Sequence, residues 1–275
     1  MTTSLSATTG PRVPGLGATF SSEWTKLRTV RSTWATLGVA LLVSVGLSLL
    51  FTLANAASFD ELSTQQRAAF TPGDTSMVGM SLGLILFAVF GVLLVSGEYA
   101  SGMIRLSLTI TPKRGRVLTS KVLLAFAVAF TGGTLFAVVS FGGGQAMLGG
   151  DGLPHLGFGD PGVLRAMFGW GLQAAGFALI AVALGVLLRS AAGAIATSIG
   201  IIFAPLIVSG LLSDWLREHI MAYLPSSAAG FLGAIEPDVH SPEYLTPGIA
   251  GLVLAGWVVV LLGAAHLVMR SRDSG

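Results

Sequence analysis

The stretch "GEYASGMIRLSLTITPKRGR", residues 97–116, separates two long apolar runs and decides how the rest of the chain is arranged. It holds a single acid and four bases, although only 10% of the 275 residues are charged and 53% are hydrophobic. A soluble domain carries about 25% charged residues. A chain this apolar is therefore expected in a lipid bilayer, with residues 97–116 as a basic connector on one side of it.

The apolar runs are long enough to cross a membrane, which requires about 20 mostly apolar residues per helix. Six stretches without any acidic residue meet this requirement. They are residues 34–54, 77–96, 122–148, 163–188, 191–212 and 247–269. The sequence therefore predicts an all-α, polytopic membrane protein with six transmembrane helices. These helices are expected to form one transmembrane domain over residues 34–269.

Two features within these spans bear on how the helices pack. Gly79 and Gly83 have the spacing of a close-packing motif, but in a chain with 37 glycines we expect ordinary packing there. Pro205 lies inside the fifth stretch and lacks a backbone N–H, which predicts a kink.

The bases set the orientation. If the N-terminus is cytoplasmic, 12 of the 15 Lys and Arg residues fall on the cytoplasmic side, and only Arg67, Arg165 and Arg217 fall outside. The acids divide the other way, with Glu23, Glu98 and Asp273 inside. Because cytoplasmic loops carry an excess of Lys and Arg, both termini are predicted to be cytoplasmic, residues 270–275 forming a short tail.

The N-terminal region has two parts. Residues 1–19 are rich in Thr, Ser, Gly and Pro, which predicts a disordered tail. Residues 20–33 carry apolar side chains at helical spacing with charges on another face, which predicts an amphipathic helix in the membrane interface that bends into the bilayer near residues 31–34. The residues assigned to this interfacial helix and its contact with lipid are Trp24, Lys26, Leu27, Arg28 and Arg31.

A cleaved signal peptide is the rival interpretation of the first span. Three bases precede the apolar run, and Ala54 and Ala56 have the spacing of a cleavage site. The apolar part of a signal peptide is normally about 7–15 residues long, whereas this run is longer, so we favour a retained span.

Residues 213–246, before the last span, mix aromatic and polar side chains. The segment is too polar to cross the bilayer twice and too apolar for a simple loop. We expect two short helices on or in the outer leaflet, separated by Pro225.

Several kinds of chemistry have no signature in the sequence. There is no cysteine, no Gly-x-x-x-x-Gly-Lys-Ser/Thr phosphate loop, no nucleophile elbow and no metal-ligand spacing among the four histidines. The bases are spread between apolar runs rather than over one soluble face, which argues against nucleic acid as a partner. An ion-coupled carrier is disfavoured because no acidic group lies in the middle of a span. We therefore expect no enzymatic activity and no cofactor on this chain.

Three motifs resemble the membrane subunits of type-2 ABC exporters. They are "EWTKLRTVRSTW" at 23–34, "EYASGMIRLSLTITPKRGRVLTSK" at 98–121 and "YLPSS" at 223–227. The second is similar to an E-Y-x-x-G-T-x-R…P-x-R connector typical of permeases from high-GC Gram-positive bacteria. It departs from that pattern at Met103, which stands in place of the usual threonine. The resemblance covers almost the whole chain after residue 20.

The resemblance implies a particular assembly. Such a permease pairs with a second copy or a paralogue in the bacterial cell membrane, and two separate ABC ATPase subunits bind ATP and Mg. A cytoplasmic coupling helix between spans two and three inserts into the ATPase. The residues that the resemblance assigns to coupling are Glu98, Tyr99, Gly102 and Arg105, with Lys113, Arg114 and Arg116 on lipid headgroups or the ATPase surface.

A substrate path between two facing permeases would be lined by polar groups in otherwise apolar spans. The candidates are Gln173, Gln145, Ser140, Thr197 and Ser198. So apolar a path suits an amphipathic or hydrophobic cargo. The alternative is a membrane anchor or sensor in an ABC-like complex that transports nothing and detects a ligand with its acidic outer loops. A neighbouring gene that encodes a phosphate-loop ATPase would favour the exporter.

Overall fold

The computed structural model of the chain describes residues 15–100, 114–210, 213–241 and 243–271. Within these ranges all regular structure is helical, which confirms the predicted all-α class. The α-helices are α1 (Leu16–Thr29), α2 (Arg31–Ser58), α3 (Thr64–Ala68), α4 (Pro72–Thr75), α5 (Val78–Ala100), α6 (Arg114–Gly150), α7 (Val163–Leu188), α8 (Ala191–Val208), α9 (Asp214–Ile220), α10 (Pro225–Gly233) and α11 (Pro247–Ser271), with short 3₁₀ helices at Phe59–Glu61 and Met221–Tyr223.

Six of the described helices are long and apolar enough to cross a membrane: α2, α5, α6, α7, α8 and α11. This confirms the predicted number of spans, although the helix ends differ from the predicted spans. Helix α6 begins at Arg114 rather than at residue 122 and has 37 residues. At 1.5 Å per residue it is about 55 Å long, whereas the hydrocarbon core is about 30 Å thick. The helix of the third span therefore extends well beyond the bilayer core.

The N-terminal helix is separated from the first span by one residue. Val30 has an extended backbone with ψ 111°, and its N–H donates to the Lys26 carbonyl oxygen at 3.0 Å. The helical geometry resumes at Arg31. The bend that the sequence predicts at residues 31–34 is thus a break at Val30, where a single residue changes the direction of the chain.

Helix α1 packs against α6 along a narrow stripe. Thr19, Glu23 and Leu27 follow one another at four-residue spacing and are all buried. The aromatic side chains of Phe20 and Trp24 are exposed on another face. Because one of the three buried residues is a carboxylate, this contact requires a charged partner on α6.

Helix α7 is the centre of the bundle and is buried along most of its length. Its many glycines and alanines let neighbouring backbones approach closely, as is usual between membrane helices. A side chain at Gly176 would collide with Leu254 of α11, and one at Gly91 of α5 would collide with the carbonyl of Ala178. The neighbours of α7 are therefore positioned by the small residues that face them.

Helices α2 and α5 also pack more closely than expected. The backbone N–H of Gly79 donates to Ser48 Oγ at 3.1 Å, and a Cβ at Gly83 would overlap the Ser44 side chain. The expectation of ordinary packing at Gly79 and Gly83 was wrong, because two serines on the facing helix occupy the space that their missing side chains leave. At these two glycines, the backbone of the second span is in direct contact with serine side chains of the first span.

Candidate functional site

The predicted coupling residues lie around the gap between α5 and α6. Gly102, Arg105 and Lys113 are outside the described residues. Glu98 and Tyr99 belong to the last turn of α5, and Arg114 is the first residue of α6, but only their backbone is described. Arg116 is half-buried two residues further along α6. Their part in coupling stays a prediction.

The ends of this connector are joined by a buried ionic cluster, which we call the proximal junction. Lys121 Nζ of α6 lies 2.7 Å from Glu23 Oε2 of α1 and donates to the Leu94 carbonyl oxygen of α5 at 3.0 Å. Lys26 Nζ lies 2.7 Å from the other carboxylate oxygen, Glu23 Oε1. One ammonium group therefore ties the N-terminal helix to the second and third spans.

The Glu23–Lys121 pair at the centre of the junction is shielded from solvent. Glu23 is 3% exposed and Lys121 is 4% exposed. Burial alone would raise the pKa of Glu23, but the charge of Lys121, its hydrogen bond and the contribution of Lys26 outweigh burial and hold that pKa below its ordinary value. The carboxylate is thus ionised, and each of its oxygens has a lysine partner.

The residues assigned to the interfacial helix divide between two faces of the chain. Leu27 is 3% exposed and packs in the core, whereas Trp24, Arg28 and Arg31 are exposed. The Arg28 carbonyl oxygen accepts a hydrogen bond from Trp34 Nε1 at 3.1 Å. That bond spans the break at Val30 and holds the end of α1 against the beginning of α2.

The pairing of Glu23 with Lys121 is the feature that the sequence analysis missed. A signal was present: Glu23 is the only acid before Asp60, and Lys121 is the last base before the third apolar run. The two residues are 98 positions apart, however, so helical periodicity could not identify them as partners. Only the packing of α1 on α6 brings them together.

The opposite end of the bundle is closed by hydrogen bonds to the backbone, and we call this region the distal cap. Gln145 of α6 is its centre. Its Nε2 donates to the Pro72 carbonyl oxygen at 2.8 Å and to Ser76 Oγ at 2.6 Å, while its Oε1 accepts from the Leu156 N–H at 2.7 Å. A single amide therefore connects α4 and its C-cap residue Ser76 to the loop after α6.

Two charged groups complete the distal cap at the end of α10. Arg165 Nη2 of α7 donates to the Ala234 carbonyl oxygen at 2.7 Å, and Asp74 Oδ1 of α4 accepts from the Ile235 N–H at 3.4 Å. Burial raises the pKa of Asp74, and the hydrogen bond from Ile235 only partly opposes this effect. Cationic groups are favourable at helix C-termini, so Arg165 also stabilises the end of α10.

The five candidates for the substrate path do not come together in one chain. Gln145 is fully engaged in the distal cap, and Ser198 Oγ donates back to the Ala194 carbonyl oxygen of its own helix at 2.8 Å. Thr197 is exposed on α8. Gln173 and Ser140 are buried, and among the described residues Gln173 Nε2 and Ser140 Oγ have no hydrogen-bond partner. A path between two subunits stays a prediction.

Pro205 lies in the last turn of α8, which ends at Val208. Because proline has no N–H, the carbonyl four residues earlier, that of Ile201, loses its helical donor. Ser226 Oγ of α10 supplies the missing donor at 3.1 Å. The proline thus creates the acceptor by which α10 attaches to α8.

Comparison with protein families identifies a model that matches most of the chain. The model of a family described as "ABC-2 family transporter protein" matches residues 19–209, which include the proximal junction and the first five spans. A search of curated proteins found no match. In the described part of the chain, no group of three or more His, Asp or Glu residues could hold a metal ion.

Proposed function

Because the chain belongs to the ABC-2 family of transporter proteins, we propose that it is the permease of an ATP-driven exporter for amphipathic or hydrophobic cargo. It is a multi-pass membrane protein and a membrane permease of an ABC transporter. The export direction and the class of cargo are our proposals. They rest on the resemblance of the connector and on spans that carry few polar side chains.

The energy source is a partner. Membership of the family implies an ABC ATPase subunit. We place ATP and Mg on that separate chain, since this sequence contains no phosphate loop. The functional unit combines two ATPase subunits with two permeases, either two copies of this chain or this chain and a paralogue. The distribution of Lys and Arg supports cytoplasmic termini, and the resemblance to bacterial permeases supports a location in the bacterial cell membrane.

The observation that carries the mechanism is the proximal junction. The connector between α5 and α6 is the segment that would enter the ATPase. Lys121 bonds to the Leu94 carbonyl of α5 and to Glu23 of α1. A displacement of the connector by the ATPase would therefore move α1 together with the second and third spans, because buried ion pairs are costly to separate. Those spans would then open or close the path between the two permeases.

The transporter function is tested by affinity purification of the tagged chain from its native membranes, followed by reconstitution into vesicles. We expect a soluble chain with a Walker-type phosphate loop to copurify, and hydrophobic cargo to be moved only when ATP is present. We also expect Glu98→Gln to reduce cargo-stimulated ATP hydrolysis. Hydrolysis of ATP by the purified chain alone would contradict the proposal. Cargo movement that is unaltered after inactivation of the ATPase would also contradict it.

A further inference from the structure

An apolar groove lies beside the proximal junction, and none of its lining residues takes part in the ion pairs of the junction. It has a volume of about 510 Å³ and lies between α1, α2 and α6. Its walls include Trp24 of α1, Trp34, Gly38 and Leu41 of α2, and Thr131 and Phe136 of α6. On α6 the lining extends from residue 127 to residue 136, which is about 14 Å of helix at 1.5 Å per residue. The groove is therefore an apolar slot that can hold part of one lipid acyl chain.

The mouth of the groove has the composition of a membrane–water interface. Trp24 and Trp34 are 41% and 55% exposed, and tryptophan is enriched at the depth of the lipid headgroups. The bond from Trp34 Nε1 to the Arg28 carbonyl oxygen fixes the position of this mouth relative to the break at Val30. The slot thus begins at headgroup depth and continues into the hydrocarbon.

The exposed charge at the mouth is positive. Arg28 follows Trp24 by one helical turn on α1, and Arg31 precedes Trp34 by nearly one turn on α2, so both bases lie beside the tryptophans. Both arginines are exposed. The only acid before Asp60 is Glu23, and its two oxygens are already occupied by Lys26 and Lys121. The mouth is suited to an anionic group.

From these observations we propose that the groove binds one anionic glycerophospholipid from the leaflet next to α1. One acyl chain lies in the slot, and the phosphate contacts Arg28 and Arg31. Basic residues next to a membrane attract anionic lipids, and here they lie beside a preformed site for the chain. Since α1 forms one wall and is tied to α6 through Glu23 and Lys121, bound lipid would hold the proximal junction in the conformation described here.

The structure offers a matched pair of substitutions to test the site. Gly38 lines the groove, and a Cβ built there would meet nothing within 4 Å, so Gly38→Leu fills the slot without a clash. Gly46 lies on the same helix, has the same free space and does not line the groove, so Gly46→Leu is the control. Arg28→Gln combined with Arg31→Gln removes the headgroup contacts, with Arg270→Gln as the control for loss of one exposed base.

The measurement is quenching of tryptophan fluorescence by acyl-brominated phosphatidylglycerol or phosphatidylcholine added to the full chain in detergent. We expect saturable quenching that needs about tenfold more of the zwitterionic lipid, because two cations face the headgroup. Gly38→Leu should abolish this difference, Gly46→Leu should keep it, and the double arginine variant should reduce it.

Equal quenching by the two lipids would overturn the proposal. So would a Gly38→Leu variant that keeps the native difference between quenching by phosphatidylglycerol and by phosphatidylcholine. So would a loss of dimers in Gly38→Leu with lipid quenching intact, which would assign the groove to a second copy. Displacement of the phosphatidylglycerol signal by a transported cargo would likewise overturn it. The test needs no ATPase, so a failure here leaves the proposed transport function standing, and the reverse is also true.

Discussion

The two ends of the helical bundle are held together by different physical means. At the proximal junction, one ammonium group contacts a carboxylate and a backbone carbonyl, and the contact is buried. At the distal cap, the hydrogen bonds come from side chains on three different helices and go mainly to backbone groups. These side chains are Gln145, Arg165 and Asp74. The contacts between helices at the proximal end therefore depend mainly on Lys121, whereas those at the distal end come from several independent hydrogen bonds.

This difference matches the roles that we propose for the two ends. The buried Glu23–Lys121 ion pair, with the hydrogen bond from Lys121 to the Leu94 carbonyl oxygen, connects three helices so that they move together. This connection is lost when Lys121 is lost. Hydrogen bonds to many backbone groups instead fix the loops in place, and each can be lost separately. The proximal end is suited to transmit a movement, and the distal end is suited to resist one.

The largest effect is expected from Lys121→Ala. The substitution leaves the Glu23 carboxylate buried with Lys26 as its remaining partner, and loss of one member of a buried pair costs about 3–5 kcal/mol. We expect destabilisation of about 3 kcal/mol, measured by unfolding in detergent, together with faster trypsin cleavage within α1.

The matched control replaces both charges at once, as Glu23→Gln with Lys121→Met. Because no charge is then left buried without its partner, most of the lost stability should return. Equal destabilisation in the single and the double variant would show that the proximal junction is held by packing and not by charge.

A smaller effect is expected from Gly169→Ala at the distal end. A Cβ at Gly169 of α7 would collide with the Leu232 carbonyl of α10, so α10 must move away. Overpacking of this kind costs about 1–3 kcal/mol. Gly230→Ala is the control, because a Cβ there meets nothing within 4 Å. Unfolding midpoints in detergent compare the two variants, and equal midpoints would mean that α10 is free to shift.

The two buried glutamines provide the next comparison. Gln145→Leu removes three hydrogen bonds and leaves the Leu156 N–H without its acceptor, at a cost of about 1–3 kcal/mol. In Gln173→Leu the lost amide nitrogen had no hydrogen-bond partner among the described residues, so stability should be unaltered or improved. Thermal unfolding of both variants is the check, and a larger loss for Gln173→Leu would contradict this ranking.

The pH dependence of stability should have opposite signs at the two ends of the bundle. The pKa of Glu23 lies below its ordinary value of 4.5, so its contribution to stability is present above that value and is lost as the pH falls through the lowered pKa. The pKa of Asp74 lies above its ordinary value of 3.8, so its contribution is present at low pH and is lost as the pH rises through the raised pKa.

The melting temperatures of Glu23→Gln and Asp74→Asn, measured over a pH series, separate these contributions. At neutral pH the first variant should melt below the native chain and the second slightly above it. Both differences should shrink on acidification. A shift in the same direction for both variants would mean that the two ends do not differ in their use of charge.

The spans could be predicted from the sequence because hydrophobic length is a local property, and the break near Val30 because amphipathic periodicity changes there. The close contact of Gly79 and Gly83 could not, since it depends on Ser44 and Ser48 of another helix. The same limit applies to Lys121, whose partners come from α1 and α5. Polar residues within spans suggested a substrate path, but Gln145 shows that such a residue can instead be engaged in closing a loop.

The central claim is that the connector between the second and third spans faces the ATPase in the cytoplasm. The chain has no cysteine, so Gly102→Cys provides a single labelling site. A membrane-impermeant maleimide should modify this site in inverted membrane vesicles but not in intact cells, and added ATPase subunit should slow the reaction. Modification in intact cells would place the connector outside and contradict the account.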